Sequence, residues 1–145
     1  MEPIRVKKLD EKAILPTYGS EAAAGADLYA CLEEPVTIGP GESKWLPTGI
    51  ALEVPKGCAG LVYARSSLGT KRGLAPANKV GVIDSDYRGQ IMVVLHNHGQ
   101  EAQTITCGER VAQLVITPVF TPGFTEVSEL SDTTRGAGGF GSTGK

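Results

Sequence analysis

The run Thr134-Arg135-Gly136-Ala137-Gly138-Gly139-Phe140-Gly141-Ser142-Thr143-Gly144-Lys145 sets one aromatic residue and one arginine among glycines and hydroxyl side chains. Residues of these types can clamp a small anionic ligand. Phe140 offers a flat face for a base, and Arg135 offers a planar cationic fork for phosphate. Ser142 and Thr143 add donors, while glycines such as Gly141 let backbone N–H groups approach a ligand closely. The alternative is a flexible Gly-rich terminus without a task.

Four further stretches put chemically useful residues at turns. Ala24-Gly25-Ala26-Asp27-Leu28-Tyr29-Ala30 holds one carboxylate among small residues. Asp27 reads either as a turn aspartate bonding local N–H groups or as a ligand contact for which the glycine makes room. Ala64-Arg65-Ser66-Ser67-Leu68-Gly69 places an arginine and two hydroxyls at a helix start, where a serine can cap the first turn and the positive dipole end attracts phosphate. In Asn78-Lys79-Val80-Gly81-Val82-Ile83-Asp84-Ser85-Asp86-Tyr87-Arg88-Gly89, a hairpin is expected that runs into residues 90–97. Two aspartates at a turn are ordinary hairpin chemistry. Asp84 directly after an apolar strand, with Tyr87 three residues on, could instead orient a water beside a stacked sugar. Gly108-Glu109-Arg110-Val111-Ala112-Gln113-Leu114 reads as a surface loop entering a buried strand, with Gln113 hydrogen-bonded internally.

Composition limits what such a site can bind. The chain has 145 residues, enough for one domain with a sizeable core, and a net charge of −2 with its lysines and arginines scattered. A polyanion-binding surface is therefore not expected, and affinity for phosphate must come from a focused, nucleotide-sized site. The segment Met1-Glu2-Pro3-Ile4-Arg5 lacks the apolar core of a signal peptide, and no apolar run approaches membrane-spanning length, so a soluble, cytoplasmic protein is expected. Cys31, Cys58 and Cys107 lie far apart with no CxxC pair and read as small buried apolar residues. GxxxxGK[ST], strand-linked GxGxxG and HExxH motifs are missing. His96 and His98 would share one strand face, as a solvent-side pair without a third metal ligand nearby.

The elements that must position these residues read as short strands at 4–7, 36–38, 44–46, 50–54, 59–63, 79–83, 91–97, 103–106 and 111–119, each bounded by Gly, Pro, Asn or Asp. No window keeps a helical apolar period beyond about two turns. The single helical turn expected begins at Ser66 or Ser67. An all-β fold follows, a distorted jelly roll or sandwich-like barrel with a C-terminal arm.

In this order and spacing, the five segments resemble the five motifs of the homotrimeric dUTPases, nearly end to end; GVIDSDYRG and RGAGGFGSTG are the most specific. Ser67 stands where many members carry glycine. The resemblance implies a β-domain over residues 1–132, an arm over 133–145, and Mg²⁺-dependent hydrolysis of dUTP to dUMP and pyrophosphate. It makes Asp84 the base for the attacking water. Arg65, Ser66, Ser67 and Gln113 would line the triphosphate, with Arg135, Ser142 and Thr143 closing over it. Mg²⁺ would bridge phosphate oxygens, and Asp27 would hold its water shell or the local backbone without direct ligation. The 78–83 hairpin, including Asn78, Gly81, Val82 and Ile83, would read uracil through its backbone. Tyr87 would lie against the deoxyribose, Phe140 over the base, and Met92 close by or in the core. A homotrimer is implied, each site taking the Asp27, Arg65 and Gln113 segments from one subunit, the hairpin from a second and the arm from a third, with neither nucleic acid nor membrane as partner. Two other readings remain. A dCTP deaminase shares the fold but uses a glutamate where this chain has Val94, and a non-catalytic β-sandwich would leave Asp84, Tyr87 and Phe140 without a role.

Overall fold

The computed structural model describes residues 2–141. Strand β1 (Val6–Lys8) pairs antiparallel with β6 (Ile50–Leu52), and β4 (Val36–Ile38) with β11 (Gln103–Ile105). A three-stranded sheet runs in the order β5 (Ser43–Pro47), β10 (Met92–Asn97), β8 (Leu74–Pro76). The largest sheet has five strands in the order β2 (Thr17–Tyr18), β3 (Ala26–Tyr29), β12 (Arg110–Pro118), β7 (Cys58–Tyr63), β9 (Gly81–Ile83). All four sheets close on one core that includes Leu28, Ile38, Leu46, Ile50, Leu74, Val93, Leu95, Ile105 and Val111. The all-β expectation holds, in a sandwich broken into short ladders. Among the described residues no helix is long and apolar enough to cross a membrane.

Side-chain alternation explains why these segments are strands. Met92–Asn97 buries every second residue, Val93, Leu95 and Asn97, and turns the others outward. Asn97 is a fully buried polar residue. Its Nδ2 donates to the carbonyls of Ile38 (2.9 Å) and Glu101 (2.8 Å), and its Oδ1 accepts from Gly99 N (2.9 Å), so β4 and the end of β10 are held together without an unpaired amide.

The structure corrects several expectations. The Asp27 segment is not a turn: β3 alternates buried Ala26 and Leu28 with half-buried Asp27 and Tyr29, a period that small residues had obscured. Strands β2 and β8 were not anticipated from the sequence. The 79–83 segment does not form a hairpin ladder with 90–97. Its strand pairs with β7, with Gly81 opposite Val62 and Ile83 opposite Gly60, while β10 pairs with β5 and β8. Helix α1 (Ser66–Arg72) does begin at Ser66, but its N-cap is Arg65 in extended conformation, and no side chain caps it. Of the cysteines only Cys31 is buried; Cys58 is half-buried and Cys107 exposed. Burial raises the Cys31 thiol above its ordinary pKa.

Among the described residues beyond β12 no regular strand forms. Residues 119–141 are exposed throughout, and the boundary expected at 132/133 falls inside this stretch.

Candidate active site

Strand β9 lies at the end of its sheet, so only one edge has a ladder partner. Strand β10 is laddered on both sides only over Leu95 and His96; Met92, Val93 and Val94 ladder with β5 alone, although the Val94 carbonyl also accepts from Ala77 N at 2.8 Å. Two edges without a full ladder are thereby left near one another. Between them opens a cavity of about 270 Å³ lined by Asn78, Gly81, Val82, Ile83, Asp84, Tyr87 and Met92, and also by Trp45, Pro76, Gln90 and Val94. A space bordered by the free edge of β9 suits a planar ring with a donor–acceptor edge. Lys79, between the lining residues Asn78 and Gly81, has φ 66, a left-handed conformation that costs a non-glycine residue about 1–2 kcal/mol. That strain is stored in the bend that aims Gly81–Ile83 at the cavity.

Among the described residues Asp84 and Tyr87 are the only titratable ones in the lining. They stand at the two ends of a turn closed by Tyr87 N donating to the Asp84 carbonyl at 3.2 Å. The Tyr87 ring lies over Gly89, where a Cβ would come within 2.6 Å of Cζ, and its hydroxyl donates to the Gln90 carbonyl at 3.0 Å. Only glycine leaves room for that ring position.

A second cluster surrounds Asp27. Arg65 Nε donates to Asp27 Oδ1 at 2.6 Å, and Arg65 Nη1 to Ser67 Oγ at 3.1 Å. Arg110 Nη1 approaches Asp27 Oδ2 at 3.4 Å. Gln113 sits directly opposite Asp27 in the β3–β12 ladder and donates from Nε2 to the Ala64 carbonyl at 2.8 Å. Gly25 makes that amide position possible, since a Cβ there would lie 2.6 Å from Gln113 Oε1. In a regular strand, residues 110 and 113 point to opposite faces. A register shift between Arg110 and Ala112 changes the parity and brings both beside Asp27. The Asp27–Arg65 pair is largely shielded from solvent, with side-chain exposures of 13% and 19%. Next to it the first N–H groups of α1 emerge from an end that no side chain caps, beside Ser66 and Ser67. The arrangement can hold phosphate with Arg65 preset in orientation.

Both Asp27 oxygens are engaged by arginines, which disfavours direct metal ligation and leaves lone pairs for metal-bound water. Among the described residues no group of three or more His, Cys, Asp or Glu could enclose a metal. His96 and His98 meet edge to face with centroids 4.4 Å apart, and His96 Nδ1 lies 2.9 Å from Ser43 Oγ. Burial, then His96 and Lys79, lowers the pKa of His98.

The chain thus shows three separate sets of the anticipated residues. Asn78, Gly81, Val82, Ile83, Asp84, Tyr87 and Met92 share the cavity. Arg65, Ser66, Ser67, Gln113 and Asp27 form the cationic cluster, and none of them lines that cavity. Arg135, Phe140 and Gly141 stand on the exposed arm, whereas Ser142 and Thr143 lie outside the described residues. Arg110, Gln90 and Trp45 were not singled out from sequence. For Arg110 the available signal was a cation in the same short segment as Gln113.

A family model described as dUTPase matches residues 11–144. The chain belongs to the dUTPase family. Curated dUTPase-family relatives include the deoxyuridine 5'-triphosphate nucleotidohydrolases of Hahella chejuensis, 51% identical over 95% of this chain and 91% of the relative, and of Janthinobacterium sp., 49% identical over 100% and 99%. Among solved structures, the Staphylococcus bacteriophage 80alpha dUTPase with dUpNHpp matches with a TM-score of 0.91 at 29% identity, covering 100% of both chains. A mutant dUTPase from S. aureus phage phi11, whose structure reveals the coordination of a structural Mg(II) ion, matches with a TM-score of 0.81 at 25% identity over 90% of this chain and 100% of that one. Membership of the dUTPase family agrees with the one-carboxylate cavity and leaves the deaminase reading without its acid. Val94, which stands where a deaminase would need a glutamate, is a half-buried lining residue paired with Trp45.

Proposed function

We propose that this chain hydrolyses dUTP to dUMP and pyrophosphate, with Asp84 as the base. The observation that carries the reading is a small cavity beside the free edge of β9 that holds, among the described residues, one carboxylate and one tyrosine as its ionisable groups. The Asp84 carboxylate takes a proton from water as the water oxygen bonds to the α-phosphorus; the bond from that phosphorus to the bridging oxygen breaks, and pyrophosphate leaves. General base catalysis of this kind contributes about 10²–10⁴ in rate. The remainder is positioning and charge stabilisation, supplied by Arg65, Ser66, Ser67 and the open end of α1, with Gln113 holding Ala64 beside them. Mg²⁺ on the phosphate oxygens would neutralise charge while keeping most of its waters, one of which Asp27 can accept. Unpaired backbone groups of Gly81–Ile83 read the uracil edge, Tyr87 rejects a ribose hydroxyl, and Phe140 covers the base.

The three residue sets are separate within one chain, which supports a closed trimer that builds each site from three subunits. Exposed apolar side chains between β12 and the arm support the same reading: Phe120, Phe124 and Leu130 are 97%, 100% and 88% accessible. A cytoplasmic setting is proposed with it. The test is a panel of dUTP, dCTP, dTTP and UTP with Mg²⁺, assayed for pyrophosphate and for ammonia. Pyrophosphate from dUTP alone is expected, with oxygen from isotopically labelled water appearing in dUMP. Ammonia from dCTP, or no product from any nucleotide, would overturn the assignment.

A further inference from the structure

The turn that carries Asp84 and Tyr87 has two sides. Asp84 and Tyr87 face the cavity, whereas Ser85 and Arg88 line a separate cleft of about 500 Å³ together with Arg5, Glu53 and Lys56. Across that cleft runs a chain of polar contacts. Arg88 Nη1 donates to the carbonyls of Ser85 (2.8 Å) and Tyr87 (2.9 Å). Arg88 Nε stands 3.9 Å from Glu53 Oε1, and the other Glu53 oxygen, Oε2, meets Arg5 Nη2 at 2.5 Å. Arg5 and Glu53 are themselves joined through the backbone, Glu53 N donating to the Arg5 carbonyl at 3.0 Å as an extension of the β1–β6 ladder. The turn has little else to hold it: its own closing bond is 3.2 Å long, and Tyr87 adds the contact to Gln90.

We infer that Arg88 is a positioning residue for the reaction, held by Glu53 and Arg5, and that it sets the separation and direction of Asp84 and Tyr87 by fixing the carbonyls of Ser85 and Tyr87. The inference rests on the catalytic reading of Asp84. The three charged side chains are too exposed, at 84% for Arg5, 36% for Glu53 and 55% for Arg88, to matter much to stability. A displacement of about 1 Å at a catalytic base, by contrast, can cost on the order of 10²-fold in rate. The energetic weight of the relay therefore falls on geometry at the cavity.

Arg88→Ala, Glu53→Gln and Arg5→Ala should show graded losses of kcat on dUTP. We expect about 10²-fold for Arg88→Ala, about tenfold for Glu53→Gln and less for Arg5→Ala, with KM moving less than kcat and the unfolding midpoint nearly unchanged. Arg88→Ala should also discriminate less between dUTP and UTP, because Tyr87 moves with its carbonyl. Millimolar guanidinium, far below denaturing levels, should restore part of its activity, and Arg88→Lys should retain more activity than Arg88→Ala. If kcat falls only in proportion to lost stability and guanidinium restores nothing, Arg88 is a structural residue and the inference fails. Equal kcat in wild type and Arg88→Ala would overturn it as well. Should the wild-type protein itself leave dUTP intact, it is the catalytic reading that has failed, and the two failures are told apart.

Discussion

At the scale of single residues, Asp84 and Asp27 are carboxylates with opposite surroundings. Asp84 is exposed at the mouth of a cavity, whereas Asp27 is shielded and engaged by two guanidinium groups. Asp84→Asn keeps the shape and removes the basicity. Its single-turnover rate on dUTP should fall by about 10²–10⁴ while the dissociation constant of a non-hydrolysable analogue changes little. A fall of less than about tenfold would show that another group activates the water. Asp27→Asn leaves Arg65 and Arg110 side by side with weakened partners. Hydrogen bonds to charged groups contribute about 1.5–3 kcal/mol, so urea unfolding should report a loss of that order and steady-state kinetics a raised KM as Arg65 loses its orientation. Unchanged KM and stability would mean that Asp27 does not hold the phosphate cluster.

At the scale of elements, the cavity depends on strands that fail to pair. Had β9 laddered with the start of β10, the unpaired backbone groups at 81–83 would be consumed and no ring could enter. The turn joining them is tuned by Gly89, which lets Tyr87 lie flat toward Gln90. In Gly89→Ala the Cβ meets the end of a side chain that can swing away, so the fold should survive with a melting temperature within a few degrees of wild type. Ring displacement should show in selectivity: the ratio of kcat/KM for dUTP over UTP should drop severalfold, toward about the 10–200-fold span within which a single steric contact discriminates. An unchanged ratio would move sugar discrimination away from Tyr87. Helix α1 makes the complementary point. It is anchored by buried Leu68 and by Arg72, which donates to Gln103 and to the Thr104 carbonyl, so its open first turn stays in place beside Arg65 without a side-chain cap.

At the scale of the whole molecule, one chain leaves its arm uncovered. Phe140 is fully accessible, and a Gly-rich segment of this kind is costly to order and contributes little core. Cutting the chain after Asp132 removes Arg135 and Phe140 but retains Phe120, Phe124 and Leu130. Melting temperature and oligomeric state should therefore stay nearly constant, while dUTP turnover should collapse, because the proposed closure over the ligand would exclude water and strengthen every charge contact at the phosphorus. Calorimetry, sedimentation and kinetics on the truncated protein test all three. Turnover close to the full-length rate would make the arm a passive terminus.

Most strand positions were readable from sequence, because alternation of apolar side chains and the residues at turns are properties of near neighbours; β4 was matched end to end, and β5, β7, β10 and β12 to within a residue at each end. The residue types that the proposed roles of Asp84, Tyr87, Arg65 and Gln113 require were likewise readable, since they lie in motifs whose spacing along the chain is short. Which strands pair was not. The partner of β9 is β7, the face that carries Arg110 depends on one extra residue in β12, and Arg88 meets Glu53 and Arg5 only because the first strand ladders with the sixth. Such contacts join residues remote in sequence, and their energies depend on how all the short ladders share one core. The sequence by itself determined what chemistry each motif could perform, and the tertiary structure alone decided which motifs meet in one chain, because side-chain chemistry is a local property whereas strand pairing is settled by competition among distant segments.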